Sequence, residues 1–205
     1  TLPISNNMYI YPSFSGSFVF SELLKLGDKL PYGKVRMSWA QVGSDTDPYQ
    51  LGLVYTKSKF AYPGYTIGYI SNGTIPNKDL KPTKTNSFEM GLELKFLKNR
   101  IGLDFTYYSQ LSKNQIMGMA SSSTSGYGYR LINAGEIENK GVEIALNTRP
   151  IQTKDFSWDL NFNFSKNSNK VKKLVDDMDM FELEKATWLD VQVAAKVGEN
   201  FGSIV

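Results

Sequence analysis

The chain has 205 residues, of which 41% are hydrophobic, 13% aromatic and 21% charged, so it carries enough apolar material to fold rather than stay disordered. Its formal charge of +3 is small and Lys and Arg are spread along the sequence, with no clustered basic face to read as a nucleic-acid footprint. With no Cys and no His, disulfides, thiol nucleophiles, ordinary zinc sites and Ser-His or Cys-His catalytic pairs are excluded, which leaves an enzyme only carboxylates, Lys or Tyr to work with.

In chain order, the opening Thr1-Leu-Pro-Ile-Ser5 has neither a basic n-region nor an apolar h-region, and no segment approaches the roughly 18 apolar residues of a membrane helix. The first expected pair of strands places Phe14, Phe18 and Phe20 on one face. After a turn from Gly27 to Gly33 it places Val35, Met37 and Trp39 on another. A long connection, residues 44–85, comes next. Strict alternation then begins: Phe88, Met90, Leu92, Leu94 and Phe96 alternate with Glu89, Gly91, Glu93 and Lys95. Past the short link 98–100, Ile101, Leu103, Phe105 and Tyr107 alternate with Gly102, Asp104 and Thr106, which predicts a tight hairpin. A second long connection, 114–135, leads to Val142, Ile144 and Leu146, alternating with Glu143, Ala145 and Asn147. A turn around 150–155 returns the chain through Phe156, Trp158, Leu160, Phe162 and Phe164, with Asp159, Asn161 and Asn163 between them. A third long excursion is expected to begin near Lys166. The pattern is six strands in three hairpins.

Within Val35–Gln41, Phe88–Phe96, Ile101–Tyr107, Val142–Leu146 and Phe156–Phe164, no charged residue falls on the apolar parity. A soluble sheet with one wet face shares that property. Strand length and loop sorting argue instead for a membrane barrel. Membrane strands need about 9–11 residues against about 5–6 in soluble domains. Connections within hairpins are short and those between hairpins are long, which is how an outer-membrane barrel distributes periplasmic turns and extracellular loops. Phe96, Phe156 and Trp158, near the short-turn rim, fit an interfacial aromatic girdle.

Several stretches carry a family resemblance: Gly16–Leu24, Tyr32–Tyr49, Leu80–Leu94, Asn133–Ile144 and Asp155–Lys166. In this order and over nearly the whole chain, they resemble the SusC/RagA family of TonB-linked outer-membrane transporters. The resemblance implies an all-β fold, about six antiparallel strands of a 22-stranded plugged barrel. Residues 1–205 would then be part of the barrel domain, with the plug and the TonB-contacting segment outside the sequence. It also implies import of oligosaccharides or peptides together with a SusD-like surface lipoprotein, energised by the TonB complex. A homodimer of the transporter–lipoprotein pair, contact with outer-membrane lipid and no cofactor belong to the same expectation. The competing class is a soluble or surface-attached carbohydrate-binding β-domain whose apolar faces pack on another sheet.

In the barrel reading, Phe88, Met90, Leu92, Leu94, Phe96, Ile101, Leu103, Phe105, Val142, Ile144, Leu146, Phe156, Trp158, Leu160, Phe162 and Phe164 face lipid. Glu89, Glu93, Lys95, Asp104, Glu143, Asp159, Asn161 and Asn163 line the lumen or touch the plug. The loop tyrosines Tyr62, Tyr65, Tyr69, Tyr127 and Tyr129 are substrate-contact candidates, because aromatic faces stack on sugar rings, or contacts for the lipoprotein and neighbouring loops. Asp45-Thr-Asp47 and Asp176-Asp-Met-Asp179 offer oxygen ligands but lack the EF-hand spacing, so they read as solvated loop carboxylates and no metal site is expected.

Overall fold

In a computed structural model, the structure describes residues 8–46, 52, 55–59, 63–70, 73–175, 178–185 and 191–205. Tyr62, Asp47, Asp176 and Asp177 lie outside the described residues. The strands are β1 (Ser13–Val19), β2 (Tyr32–Ser44), β3 (Tyr55–Lys57), β4 (Gly68–Ile70), β5 (Thr74–Ile75), β6 (Thr83–Phe96) and β7 (Ile101–Lys113). They continue as β8 (Ile116–Ala120), β9 (Tyr129–Asn133), β10 (Gly135–Gln152), β11 (Ser157–Leu174), β12 (Met180–Lys185), β13 (Gln192–Lys196) and β14 (Ser203–Ile204), with a short α-helix, α1 (Phe20–Leu24), after β1.

The six expected strands form one sheet in the order β1-β2-β6-β7-β10-β11, each antiparallel to the next. Its register carries the alternation straight across. Phe18, Val35, Leu92, Phe105, Ile144 and Phe164 form one row over all six strands. A parallel row, Phe14, Trp39 and Phe88, adds a second set of aromatics towards the loop end. Because β2, β6 and β7 run to 13 or 14 residues and β10 and β11 to 18, they outlast the span of a bilayer and carry on into the loop side.

The apolar side of this sheet is uncovered: Phe14 is 72% exposed, Phe162 57% and Phe164 56%. Among the described residues the buried hydrophobics are Leu80, Ala134, Val171, Leu174, Phe181, Ala194 and Ala195, all outside the expected apolar band. Val171, Leu174, Phe181 and Ala195 pack together with Met117, Met119, Met178, Leu183 and Phe201 around them, so the one compact core sits at the loop end. A sandwich would have placed its core under Leu92 and Ile144.

Four expectations about local structure are corrected. Phe20 does not continue the first strand; it opens α1, and its ring lies over Gly33, where a Cβ would overlap it. The turn expected at 150–155 is shorter and later. Strand β10 passes through Pro150 to Gln152, and the Thr153 amide donates to the Phe156 carbonyl at 2.7 Å while the Phe156 amide donates to Thr153 Oγ1 at 3.0 Å. Pro150 has no N–H for the ladder, and the register shifts between Thr148 and Ile151 to let it by. The third excursion starts after Leu174, not at Lys166, since pairing with Gly135–Lys140 holds β11 together beyond the end of its apolar alternation. Finally, the long connections are not plain loops: they build the sheets β3-β4, β5-β9-β8 and β12-β13-β14.

Candidate functional site

The opposite face of the main sheet is a polar surface assembled strand by strand. Register puts Glu89, Glu93 and Lys95 of β6, Asp104 of β7, Glu143 of β10, and Asp159, Asn161 and Asn163 of β11 on that one side. Its centre is Arg36, which the sequence reading did not single out. From β2 its guanidinium reaches across β6 and donates to both Asp104 oxygens, at 2.9 Å each, and to Thr106 Oγ1 at 2.6 Å. Glu89 lies 3.9 Å from its Nε. The residue of β6 directly between Arg36 and Thr106 is Gly91, and a Cβ there would overlap the Arg36 side chain. A glycine inside an otherwise regular strand is the signal that marks such a crossing.

Around this pair the charges alternate in sign. Glu93 sits between Lys34 and Lys95, 4.0 Å from each, and Lys95 lies 4.9 Å over the Tyr32 ring. Nearer the short turns Arg149 Nε donates to Asp159 Oδ1 at 2.6 Å. Glu143 borders the same hollow as Arg36, Asp104, Thr106 and Asn163 and has no ion pair among the described residues. A wall of this kind offers fixed donors and acceptors to polar ligands or to a protein segment beside it.

The residues expected to face lipid lie on the other side, with one qualification. Phe88, Met90, Leu92, Leu94, Phe96, Ile101, Leu103, Phe105, Val142, Ile144, Leu146, Leu160, Phe162 and Phe164 share the apolar face, as does Trp158 beyond the register shift. Phe156 precedes β11 and belongs to the turn.

Of the loop tyrosines, Tyr65 is 74% exposed, Tyr69 stands on β4, and Tyr127 and Tyr129 lie just before and on β9. Tyr69 and Tyr129 thus stand in separate small sheets, β3-β4 and β5-β9-β8. Asp45 accepts from the Thr46 amide at 2.7 Å and Asp179 gives its carbonyl to Val197. The first is a local turn contact, and the second extends the pairing of β12 with β13.

The loops are tied to one another. Strand β5 of the first pairs parallel with β9 of the second, and the Gly73 carbonyl accepts from the Gly128 and Tyr129 amides at 2.7 and 3.1 Å. Asn133 fastens the base of both: its Nδ2 donates to the Lys81 and Asn114 carbonyls at 2.7 and 3.0 Å, and its Oδ1 accepts from the Lys81 amide at 3.0 Å. An Asn133→Ala substitution is expected to lower the local opening free energy of residues 73–82 by about 1–3 kcal/mol, read as faster amide exchange there than in β6. Unchanged exchange at Lys81 would show that the clamp carries no weight.

The family model described as TonB dependent receptor-like, beta-barrel matches residues 5–188. TonB-dependent receptor P3 of Formosa agariphila is 31% identical over 185 residues, covering 86% of this chain and 18% of the relative. TonB-dependent receptor SusC of Bacteroides thetaiotaomicron is 31% identical over 156 residues, covering 72% and 16%. The solved structure of the RagAB peptide transporter superposes with a TM-score of 0.83 at 21% identity over 97% of this chain and 21% of that one, a likeness of fold. The chain therefore spans about a fifth of the length of the relatives it matches. An antiparallel sheet with one apolar face left open, a polar opposite face and strands long enough to cross a bilayer is the fold this match describes. The chain belongs to the TonB-dependent receptor family of outer-membrane β-barrels, of which it forms part of the barrel wall.

Proposed function

We propose that the receptor imports oligosaccharide or peptide nutrients across the outer membrane, with the apolar face of this sheet on lipid and the polar face on the lumen. The observation that carries the reading is the row Phe18–Val35–Leu92–Phe105–Ile144–Phe164, apolar over six strands and left uncovered by the described residues. Lipid is the surface such a face fits. On the other side, Glu89, Glu93, Lys95, Asp104, Glu143, Asp159, Asn161 and Asn163 meet the plug or the passing solute. In the parent protein the plug and TonB-contacting segment complete the machine, and TonB supplies the work. A SusD-like surface lipoprotein closes the mouth built from the connections that follow β2, β7 and β11. The SusC relative and the RagAB peptide transporter support a transporter–lipoprotein pair, and the exposed Tyr65, Tyr69 and Tyr129, with the half-buried Tyr127, offer stacking surfaces to substrate or lid.

The test is purification of the whole receptor from outer membranes, followed by calorimetry against panels of oligosaccharides and of peptides. The expected result is a band that changes mobility on boiling, a co-purifying lipoprotein, and binding confined to one panel. Binding to neither panel, or a receptor that purifies without a lipoprotein, would overturn the reading.

A further inference from the structure

Two Met-x-Met pairs stand on different connections of the chain, Met117-Gly-Met119 and Met178-Asp-Met180. The fold brings three of these four methionines together. Met117 and Met119, two apart on β8 and therefore on one face of it, pack with Met178 against the core of Val171, Leu174, Phe181 and Ala195. Met180 opens β12 and is 40% exposed. The other methionines lie elsewhere: Met8 is exposed ahead of β1, and Met37 and Met90 pair across β2 and β6 on the apolar face.

This core joins the second long connection to the third. Among the described residues no hydrogen bond or ion pair links β8 and β9 to β12, β13 and β14, so the joint between them is side-chain packing. Thioethers suit its margin, because their unbranched chains take up irregular gaps. Beside it stands Arg130 of β9, directly opposite Met119 in register, with its guanidinium donating to the Met119 sulfur at 4.0 Å. A thioether is a weak acceptor, so little holds the two together as they are. Arg130 is exposed and Met119 half-buried, which leaves the sulfur open to a small solute from that side.

We infer that Met117, Met119 and Met178 form an oxidation site for hydrogen peroxide, entered at Met119, and that their oxidation unlatches the second connection from the third. Peroxide transfers one oxygen atom to the thioether. An S–O bond forms, the O–O bond breaks, the sulfur loses two electrons and the peroxide leaves as water. The 205 residues contain no cysteine, so no thiol among them intercepts the oxidant first. The sulfoxide is polar, and an apolar cluster offers its oxygen no donor. At Met119 that oxygen is a far better acceptor than the thioether it replaces, and the Arg130 guanidinium draws it out of the packing around Phe181.

The experiment treats the whole receptor in detergent with hydrogen peroxide, maps added oxygen by peptide mass spectrometry and follows amide exchange. The expected result is sulfoxide at Met119, Met117 and Met178 while the heat-modifiable band persists. Exchange in β8 and β12 then rises about tenfold, as one poorly satisfied buried polar group would cause, and β6 stays slow. A Met117→Leu, Met119→Leu, Met178→Leu variant keeps nearly the same volume and should stay slow after peroxide. Sulfoxide at the three positions without faster exchange overturns the inference. So does oxidation confined to Met8 and Met180, which would show that the core thioethers are out of reach. A leucine variant that loosens under peroxide as much as the parent overturns it as well.

Discussion

Arginine at position 144 is expected to cost the barrel about 2–4 kcal/mol, whereas arginine at position 163 costs less than half as much. Ile144 and Asn163 are near neighbours on adjacent strands: Ile144 pairs with Phe164, and Ala145 with Asn163. They differ in the face they occupy. Ile144 lies in the six-strand apolar row between Phe105 and Phe164, and on the proposed lipid-facing side an unpaired cation would sit in hydrocarbon. Asn163 borders the hollow that contains Asp104 and Glu143, where a cation meets carboxylates. Urea unfolding of the refolded receptor, with the fraction of heat-modifiable band as a second readout, measures both variants. Equal losses for Ile144→Arg and Asn163→Arg would contradict the assignment of the two faces, and so would a fully stable Ile144→Arg.

The second large effect is expected at the crossing of β6. Removing Asp104 leaves the Arg36 guanidinium across Gly91 without its two-pronged acceptor, and Asp104→Ala should cost about 1–3 kcal/mol. The figure is set below that of a fully buried pair because the two side chains are 31% and 36% exposed. Gly91→Val should act through the same contact, since its side chain takes the space in which Arg36 lies. The two losses should therefore not add: once Asp104 is gone, Gly91→Val should cost clearly less than it does in the parent. Arg36→Lys should not rescue, because an ammonium cannot serve both carboxylate oxygens in one plane. A strictly additive double variant would mean that Gly91 serves the strand for another reason.

These two experiments draw on different kinds of information. The faces tested at 144 and 163 were legible in the sequence, because alternation is a local property: adjacent side chains point to opposite sides of any strand, whatever it pairs with. Hairpin order and the sorting of short and long connections were legible for the same reason, as were the two faces that hold the expected lipid-side and lumen-side residues. Where the local signal weakened, the expectations drifted. Polar positions beyond Lys166 hid the rest of β11, the continuation of β10 past Pro150 through a register shift moved the turn, and Phe20 looked like one more apolar strand residue before α1 took it.

The Arg36–Asp104 pair, by contrast, joins positions 68 apart, and nothing near either residue announces the other. The same holds for the parallel contact of β5 with β9 and for the clamp at Asn133. Each depends on register between strands separated by loops, and a shift of one residue would turn every one of those side chains to the opposite face. The sequence by itself determined an apolar band free of charge, six strands and a family resemblance. Only the tertiary structure decided which charges meet, because cross-strand neighbours are set by pairing between distant segments rather than by the spacing within any one of them.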